Sequence, residues 1–338
     1  MLKQFILVAG FDYSRHGLGF SKRISKRMKM LEAKNKGEEI HFHTFDFQSG
    51  QANIIKISID PNGRRIITAV PKHRFKRIKN HLYHRRDGDG EWTFNEEQEG
   101  FLSITHVYAA VREIGVDSPN TLHELSIFSH SFIGGPILVN SDQINTSGGH
   151  RDIHDLDARF HDFQLPRMSI SHQTQFANAY HPDGHNWIWG CFAAIPFRGI
   201  MRELMAQPNF RSTGLLDSEK FRLTKLSALH RKILEVRLGI TIAASGPVEF
   251  EFGTLKRFFC LLMEESYTFA ITKASNRKTF GGLPGMSAEP DKTGKLRLSH
   301  VKVNRFLLSY IKFYTNYLGI ELDSENRHFA AYMPSMTC

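Results

Sequence analysis

Residues 122–130 read Leu-His-Glu-Leu-Ser-Ile-Phe-Ser-His, an apolar run that ends on a histidine. Further along, residues 186–191 read Asn-Trp-Ile-Trp-Gly-Cys, a second apolar run that ends on a cysteine. In an open parallel sheet, functional groups gather at the edge where the strands have their carboxyl ends. Two neighbouring strands that end in His130 and Cys191 would place a base beside a sulfur nucleophile, which is the pair that cysteine-dependent hydrolysis uses.

The order of the segments around these two runs predicts a three-layer α/β fold with a mostly parallel sheet flanked by helices. Phe5–Gly10 and Glu39–Phe47 have the apolar and β-prone character of strands, with a basic amphipathic helix between them near Gly19–Lys34. Pro61-Asn-Gly63 separates two further strand-like segments and signals a hairpin. A second helix is expected near Phe101–Ile114, before the first apolar run, and strands that alternate with helices favour parallel pairing.

Length and composition allow a large core. The 338 residues are 41% hydrophobic and 12% aromatic, which suits one large α/β domain with an appended region. We expect an α/β catalytic core over residues 1–200 and a mainly helical C-terminal region, packed on that core, over residues 201–338. Ser218–Leu238 is one of the helices expected there, and Phe280-Gly-Gly-Leu-Pro-Gly285 is expected to form a turn or a flap over the edge of the sheet.

Targeting signals and cysteine usage bear on the compartment of the protein. No stretch approaches the roughly 20 consecutive apolar residues of a membrane helix, and the N-terminus reads as a buried strand rather than a signal peptide. Cys191, Cys260 and Cys338 are scattered through the chain, which argues against a disulfide framework and for a reducing compartment. These features predict a cytoplasmic protein, or one exported without a cleaved signal peptide.

A basic run gives the first alternative function. The chain has a net charge of +10, and residues 72–86, Lys-His-Arg-Phe-Lys-Arg-Ile-Lys-Asn-His-Leu-Tyr-His-Arg-Arg, are mostly basic with interleaved aromatic residues. Such a run can bind nucleic acid or an anionic surface, which would fit a non-catalytic or toxin-like module with an anionic partner. The other interpretation is a solvated face that the acidic residues of 87–99 neutralise.

The residues around His130 fit two enzyme classes, and the first is the α/β-hydrolases. Ile127-Phe-Ser-His-Ser-Phe-Ile-Gly-Gly135 resembles their nucleophile elbow, in which a serine lies on a tight turn between a strand and a helix. The resemblance implies a serine esterase or lipase with Ser131 as the nucleophile, and Val8-Ala-Gly-Phe11 would correspond to the oxyanion strand. Ile133 departs from that motif, because the elbow has glycine two positions after the serine.

The second resemblance is to the caspase-like (clan CD) cysteine peptidases. In that family one buried strand ends in a catalytic His followed by a small residue, and the next core strand ends in a small residue followed by the catalytic Cys. His130-Ser131 and Gly190-Cys191 match these positions. Glycine is usual after the catalytic His, so Ser131 is a departure. The resemblance implies a cysteine peptidase that acts on a peptide or protein substrate, and we expect no cofactor.

Under that resemblance each matching residue has a role. Cys191 attacks a carbonyl carbon as the thiolate, and His130 activates it or protonates the leaving group. Backbone N–H groups near Ser131 and Gly190-Cys191 would stabilise the oxyanion, an effect worth about 3–4 kcal/mol per donor in studied proteases. A plainer interpretation also stands, in which Cys191 is a packed residue at an inert edge.

The segment between the two apolar runs contains an acidic cluster. Residues 150–162 read His-Arg-Asp-Ile-His-Asp-Leu-Asp-Ala-Arg-Phe-His-Asp. Such side chains can hold a metal, but the spacing matches neither an EF-hand loop nor a His-Glu-x-x-His helix, and no metal is predicted. Pairing with Arg151 and Arg159 is one alternative. The other is substrate binding, in which Asp155 and Asp157 contact a Lys or Arg next to the scissile bond.

Overall fold

The computed structural model describes residues 2–11, 18–75, 102–138, 158–192, 195–291, 293–299 and 307–337. Within these ranges the strands are, in chain order, β1 (Leu2–Ala9), β2 (Glu39–Asp46), β3 (Gln51–Ile59), β4 (Arg65–Arg74), β5 (Leu122–Phe128), β6 (His130–Phe132), β7 (Gly135–Ile137), β8 (Tyr180–Ile188), β9 (Lys220–Leu223), β10 (Val248–Glu251), β11 (Thr279–Gly281), β12 (Ser287–Pro290), β13 (Leu296–Ser299) and β14 (Ala330–Tyr332). The helices are α1 (Phe20–Lys34), α2 (Ile104–Asp117), α3 (Ile170–Asn178), α4 (Ile195–Met205), α5 (Ala228–Leu238), α6 (Phe252–Glu264), α7 (Tyr267–Ser275) and α8 (Leu307–Lys312), and a π-helical turn, Phe313–Tyr317, continues α8.

An eight-stranded mixed sheet forms the centre of the described fold, in the order β14-β11-β8-β5-β1-β2-β3-β4. The inner strands, from β11 to β2, pair in parallel. On one side β14 adds an antiparallel strand to β11, and on the other the antiparallel hairpin β3–β4 extends the sheet beyond β2. The predicted α/β class with a mostly parallel sheet is confirmed, and so is the hairpin at Pro61-Asn-Gly63.

Strand β1 shows why helices cover both faces of the sheet. Phe5, Leu7 and Ala9 belong to one cluster of buried side chains, whereas Ile6 and Val8 belong to another. Successive side chains of a strand point to opposite faces, so an unbroken apolar run needs a partner layer on each side. The first cluster includes side chains from α1, α4 and α6, and the second includes side chains from α2 and α3. The result is a helix–sheet–helix arrangement of three layers.

The chain beyond residue 200 is less purely helical than its sequence suggests. It contributes α5 to α8, but β11 and β14 pair within the central sheet, and β9–β10 and β12–β13 form two hairpins. The predicted helix Ser218–Leu238 is wrong in its first part, because burial alternates along Lys220–Leu223 as it does in a strand. Helix α5 begins only at Ala228, where Ser227 provides the N-cap. The domain boundary at residue 200 stays a prediction, and the central sheet crosses it.

A buried ion pair ties helix α1 to the middle of the sheet. Glu124 lies on β5, and its carboxylate accepts hydrogen bonds of 2.7 Å and 2.6 Å from the Arg27 guanidinium. Both side chains are almost fully buried. Arg27 also donates to Glu325 at 2.7 Å, and its guanidinium carbon lies 5.5 Å and 5.3 Å from the ring centroids of Trp187 and Trp189. The guanidinium is therefore enclosed by two acids and two aromatic rings.

The protonation state of Glu124 follows from these contacts. Burial alone would raise the pKa of this carboxyl, but the charge of Arg27 and hydrogen bonds from His185 and Arg27 outweigh burial and hold its pKa well below its usual range. Glu124 is therefore a carboxylate in the folded protein. Its charge is compensated inside the structure rather than by water.

Removing the cation of this pair should destabilise the fold strongly. We expect Arg27→Met to lower the free energy of unfolding by about 3–5 kcal/mol, because the Glu124 carboxylate would stay buried without its counter-charge. Urea unfolding followed by circular dichroism measures the change. Arg222→Met, at an exposed position of β9, is the matched control, and an equal loss in both variants would contradict the role of the pair.

The stability of the unaltered protein and that of Arg27→Met should depend on pH in opposite ways. With Arg27 present, the lowered pKa of Glu124 contributes stability above the ordinary carboxyl pKa of about 4.3, and this contribution declines as the pH falls below it. In Arg27→Met the effect of burial is unopposed by that charge, so mild acid should recover part of the lost stability.

Candidate active site

The strand that precedes His130 and the strand that precedes Cys191 are neighbours. Strands β5 and β8 pair in parallel with Ile127 opposite Ile188, and the Trp189 N–H donates to the Ile127 carbonyl oxygen at 2.9 Å. Both strands therefore end at the same edge of the sheet. The prediction that the two apolar runs form neighbouring strands is confirmed.

A hydrogen bond joins the two strand ends. The Ser131 hydroxyl donates to the backbone carbonyl oxygen of Cys191. The absence of a side chain at Gly190 permits this approach, since a Cβ atom there would overlap the Ser131 hydroxyl, lie 2.5 Å from the Ser131 Cβ and lie 3.0 Å from the Ser129 carbonyl oxygen. The pairs His130-Ser131 and Gly190-Cys191 therefore meet through Ser131.

His130 begins a short hairpin at this edge. It opposes Ile137 in the antiparallel pair β6–β7. Its imidazole packs edge-on against Phe20, at the start of α1, with ring centroids 5.3 Å apart. His130 is partly exposed. A partly exposed imidazole can exchange a proton with a bound molecule.

The Cys191 thiol is largely enclosed beside the hairpin β12–β13. Its Sγ accepts a hydrogen bond from the Ala288 N–H at 3.2 Å. Burial raises the pKa of the thiol, while the Ala288 N–H acts to lower it; of the two nearby charges, Glu289 raises it and Arg198 lowers it. The overall direction is upward. At neutral pH the resting form is therefore the protonated thiol rather than the thiolate.

The segment after β11 covers the edge beside Cys191. The Phe192 N–H donates to the Met286 carbonyl oxygen at 3.0 Å, and the Gly285 N–H donates to the Phe192 carbonyl oxygen at 2.9 Å. Gly282 approaches Phe192 so closely that a Cβ atom would lie 2.8 Å from the Phe192 Cβ. The glycine-rich stretch expected to be a turn or flap therefore lies against the residue that follows Cys191.

Arg198 is a residue of this site that sequence reasoning missed. It lies on α4, the helix that follows Cys191, and donates to the Gly285 carbonyl oxygen and to the Ser287 Oγ, each at 3.2 Å. It fixes the glycine-rich segment and brings a positive charge toward the thiol. Its position on the helix directly after the cysteine is the one signal in the sequence that would have pointed to it.

The nucleophile-elbow interpretation of Ser131 does not fit the local fold. An elbow requires a helix directly after the serine, whereas Ser131 lies within the hairpin β6–β7. Its hydroxyl is also engaged with the Cys191 carbonyl oxygen. Ser131 therefore links two strand ends, and the serine esterase or lipase alternative loses the geometry on which it depends.

Two predicted binding segments lie largely outside the described residues. Asp155 and Asp157 fall there, and only 72–75 of the basic run 72–86 are described, at the end of β4 and just after it. Asp162, the last residue of the acidic cluster, is buried and accepts from the Tyr108 hydroxyl at 3.1 Å and the Arg159 N–H at 2.8 Å. This carboxylate has a structural role. Within the described ranges, no three His, Cys, Asp or Glu side chains form a group that could hold a metal ion.

The cysteines differ in state. Cys260 is disulfide-bonded and Cys191 is a free thiol. Disulfides are typical of oxidising compartments, so the state of Cys260 does not match the reducing compartment expected from the sequence, and cysteine usage does not decide between the cytoplasm and export. None of the helices in the described part of the chain is both long enough and apolar enough to cross a membrane.

Solved structures similar to this chain include two of a secreted C11 cysteine protease from Bacteroides thetaiotaomicron. The structure named "iotapain" shares 11% identity, covers 59% of this chain and 49% of its own, and has a TM-score of 0.28. The complex with an irreversible peptide inhibitor shares 8% identity, covers 79% of this chain and 58% of its own, and has a TM-score of 0.26. The match thus spans between about half and three fifths of those proteases. No protein-family profile and no curated protein matches this chain.

The close contact at Gly190 should make that position intolerant of any side chain. We expect Gly190→Ala to lower the free energy of unfolding by about 1–3 kcal/mol, because the new methyl group overlaps Ser131. Adding Ser131→Gly removes the overlapping atoms and should recover part of the loss. Thermal unfolding of the single and double variants measures both effects. A fully stable Gly190→Ala protein would show that the strand ends are not in contact.

The enclosed thiol should react slowly with iodoacetamide at neutral pH, because a raised pKa lowers the fraction of reactive thiolate. The labelling rate at about pH 7 should lie below that of a free cysteine peptide and rise into the alkaline range. Arg198→Gln should slow labelling and Glu289→Gln should speed it, which mass spectrometry of the Cys191 peptide measures. Faster labelling than the free peptide in mild acid would reveal a preformed thiolate and contradict this expectation.

Proposed function

We propose that the protein is a cysteine hydrolase, specifically a peptidase, with Cys191 as the nucleophile and His130 as the general base. The observation that supports it best is the meeting of the strand ends. Strands β5 and β8 pair in parallel, and the Ser131 hydroxyl bonds the Cys191 carbonyl oxygen. Ser131, the residue that follows His130 in the sequence, thus contacts the backbone of Cys191.

The state of the thiol determines how the proposed reaction begins. Because burial keeps Cys191 protonated at rest, attack on a carbonyl carbon requires a base that removes the proton as the sulfur–carbon bond forms. His130 takes that proton and then delivers it to the leaving amine. Water attacks the resulting thioester, with His130 again as base, and its hydrolysis releases the acid and restores the thiol.

Two backbone donors support an oxyanion site next to the sulfur. The N–H groups of Trp189 and Phe192 are both hydrogen-bonded, whereas those of Gly190 and Cys191 donate to no described residue. Consecutive N–H groups beside a nucleophile are the donors that stabilise a developing oxyanion.

Acidic groups near the thiol support a preference for substrates with a basic residue next to the scissile bond. Asp155 and Asp157 remain the candidates from the acidic cluster. In the described part of the chain, Glu289 follows Ala288, whose N–H bonds the Cys191 sulfur, and its charge raises the pKa of the thiol. A negative charge near the nucleophile would favour a substrate with Lys or Arg over one with a neutral side chain, because opposite charges attract more strongly in a partly dehydrated cleft than in water.

The proposal predicts that the full chain cleaves fluorogenic peptides with Arg or Lys before the reporter amide, and cleaves a matched norleucine peptide more slowly. Cys191→Ala and His130→Ala should each lower kcat/KM by about a thousandfold or more, since each removes a group used in bond formation. His172→Ala, at an exposed position of α3, is the control and should retain full activity.

Ser131→Ala separates the two possible nucleophiles. It removes a positioning hydrogen bond but leaves Cys191 and His130 in place, so measurable turnover should remain. Loss of all activity in Ser131→Ala together with retained activity in Cys191→Ala would contradict the cysteine mechanism. A preference for the norleucine peptide over the Arg and Lys peptides would contradict the proposed substrate class.

A further inference from the structure

A cavity of about 690 Å³ lies at the edge of the sheet opposite to Cys191. It is lined by the starts of β5 and β8, the end of α1 and the turn before β11. The parallel strands have their amino ends here, so the length of the strands separates this cavity from the proposed catalytic edge. Aromatic side chains of Phe5, Trp187 and Phe280 form part of its wall.

The acids on the floor of this cavity are already compensated. Arg27 binds both Glu124 and Glu325 through hydrogen bonds of 2.6–2.7 Å. Arg327 adds a second cation to Glu325, with its Nε donating at 3.0 Å. A ligand cation would therefore find no free carboxylate on the floor.

The cations around the cavity are compensated less well. The Arg277 guanidinium donates to backbone carbonyl oxygens, including that of His181 at 2.8 Å. Because these acceptors carry no net charge, the charge of Arg277 is not neutralised by them. Lys34 lies 3.8 Å from Glu325, which two arginines already hold. The remaining acid of the lining, Asp183, has 90% of its side chain exposed to solvent.

Lys278 stands where the charged and aromatic parts of the wall meet. Its Nζ lies 3.8 Å from an exposed carboxylate of Glu321 and 5.9 Å from the centroid of the Phe280 ring. Contacts at this distance in water contribute little free energy. The ammonium group is therefore available to a second anion without the loss of a strong ion pair.

His185 adds a polar group beside the aromatic wall. Its Nε2 lies 3.4 Å from the buried Glu124 carboxylate, and its ring packs edge-on against Phe280 with centroids 5.7 Å apart. The side chain is about one-third exposed, at 31%. The Glu124 carboxylate thus lies beside one ring nitrogen, and the side chain is one of those that line the cavity.

We propose that this cavity binds a small organic anion, namely a carboxylic acid that carries a flat apolar ring. The ring would lie against Phe280 and His185, and the carboxylate would lie near Lys278 and Lys34. Pockets that combine aromatic walls with a few polar groups are typical of small-molecule sites. An inorganic anion would leave the aromatic wall unused, and a neutral ring would leave the cations unused.

The test uses 1-naphthoate as the probe, titrated into the full chain by calorimetry, with the neutral 1-naphthylmethanol as its isosteric comparison. We expect saturable, one-to-one binding of naphthoate and weaker binding of the alcohol. The double substitution Lys34→Gln and Lys278→Gln should weaken naphthoate binding by about fivefold and leave the alcohol unchanged. Lys220→Gln, on β9 and outside the lining of the cavity, is the control and should bind as the unaltered chain does.

Each other outcome overturns the proposal. Absence of saturable naphthoate binding, equal affinity for the alcohol, or equal affinity for inorganic phosphate would each rule out an aromatic acid. Retained affinity in the double variant would place the probe elsewhere. The substituted lysines are partly exposed, so unchanged thermal unfolding is expected and confirms that weaker binding does not come from a loss of fold. The peptidase assay does not enter the test, so its result and the binding result stay independent.

Discussion

The parallel register of β5 on β8 determines where the two strand ends of the candidate active site meet. Because Ile127 lies opposite Ile188, both strands end at the same level of the sheet, and the residues that follow each strand lie next to one another. Gly190 and Ser131 lie where they meet. A shift of one residue in this register would turn the side chains of either strand to the other face of the sheet. The site is therefore a consequence of strand pairing and of one residue without a side chain.

Helix α1 connects the two edges of the sheet that carry functional proposals. Its first residue, Phe20, packs on the His130 ring, and Arg27 in its middle holds the buried Glu124. Arg23 donates to the Gly294 carbonyl oxygen at 2.9 Å, in the turn of the hairpin that bonds the Cys191 sulfur. The ion pair under this helix thus supports the orientation of both the imidazole and the hairpin. Its last residue, Lys34, lines the cavity at the opposite edge.

The sequence was sufficient for features that depend on local pattern. The apolar run of β1, the hairpin at Pro61-Asn-Gly63 and the two strands before His130 and Cys191 all follow from periodicity and turn chemistry. Three-residue strands such as β11 and β14 are too short to show a period, so their place in the sheet could not be predicted.

Partners that lie far apart in the chain were equally inaccessible. Arg27 and Glu124 are 97 residues apart, and so are Cys191 and the Ala288 N–H that bonds its sulfur. Nothing in a single sequence links such positions, because each looks locally like an ordinary helix or strand residue. Ser131 shows the same effect in reverse. Its local motif suggested a nucleophile, whereas its long-range contact makes it a link between strands.

The most direct measurement of the central claim is covalent trapping with a peptide electrophile that carries Arg at the reactive carbonyl, followed by mass spectrometry of the modified peptide. The proposed mechanism predicts one adduct, on Cys191, which His130→Ala slows strongly while leaving the fold intact. An adduct on Ser131, or the absence of any adduct on a folded protein that binds the peptide, would contradict it.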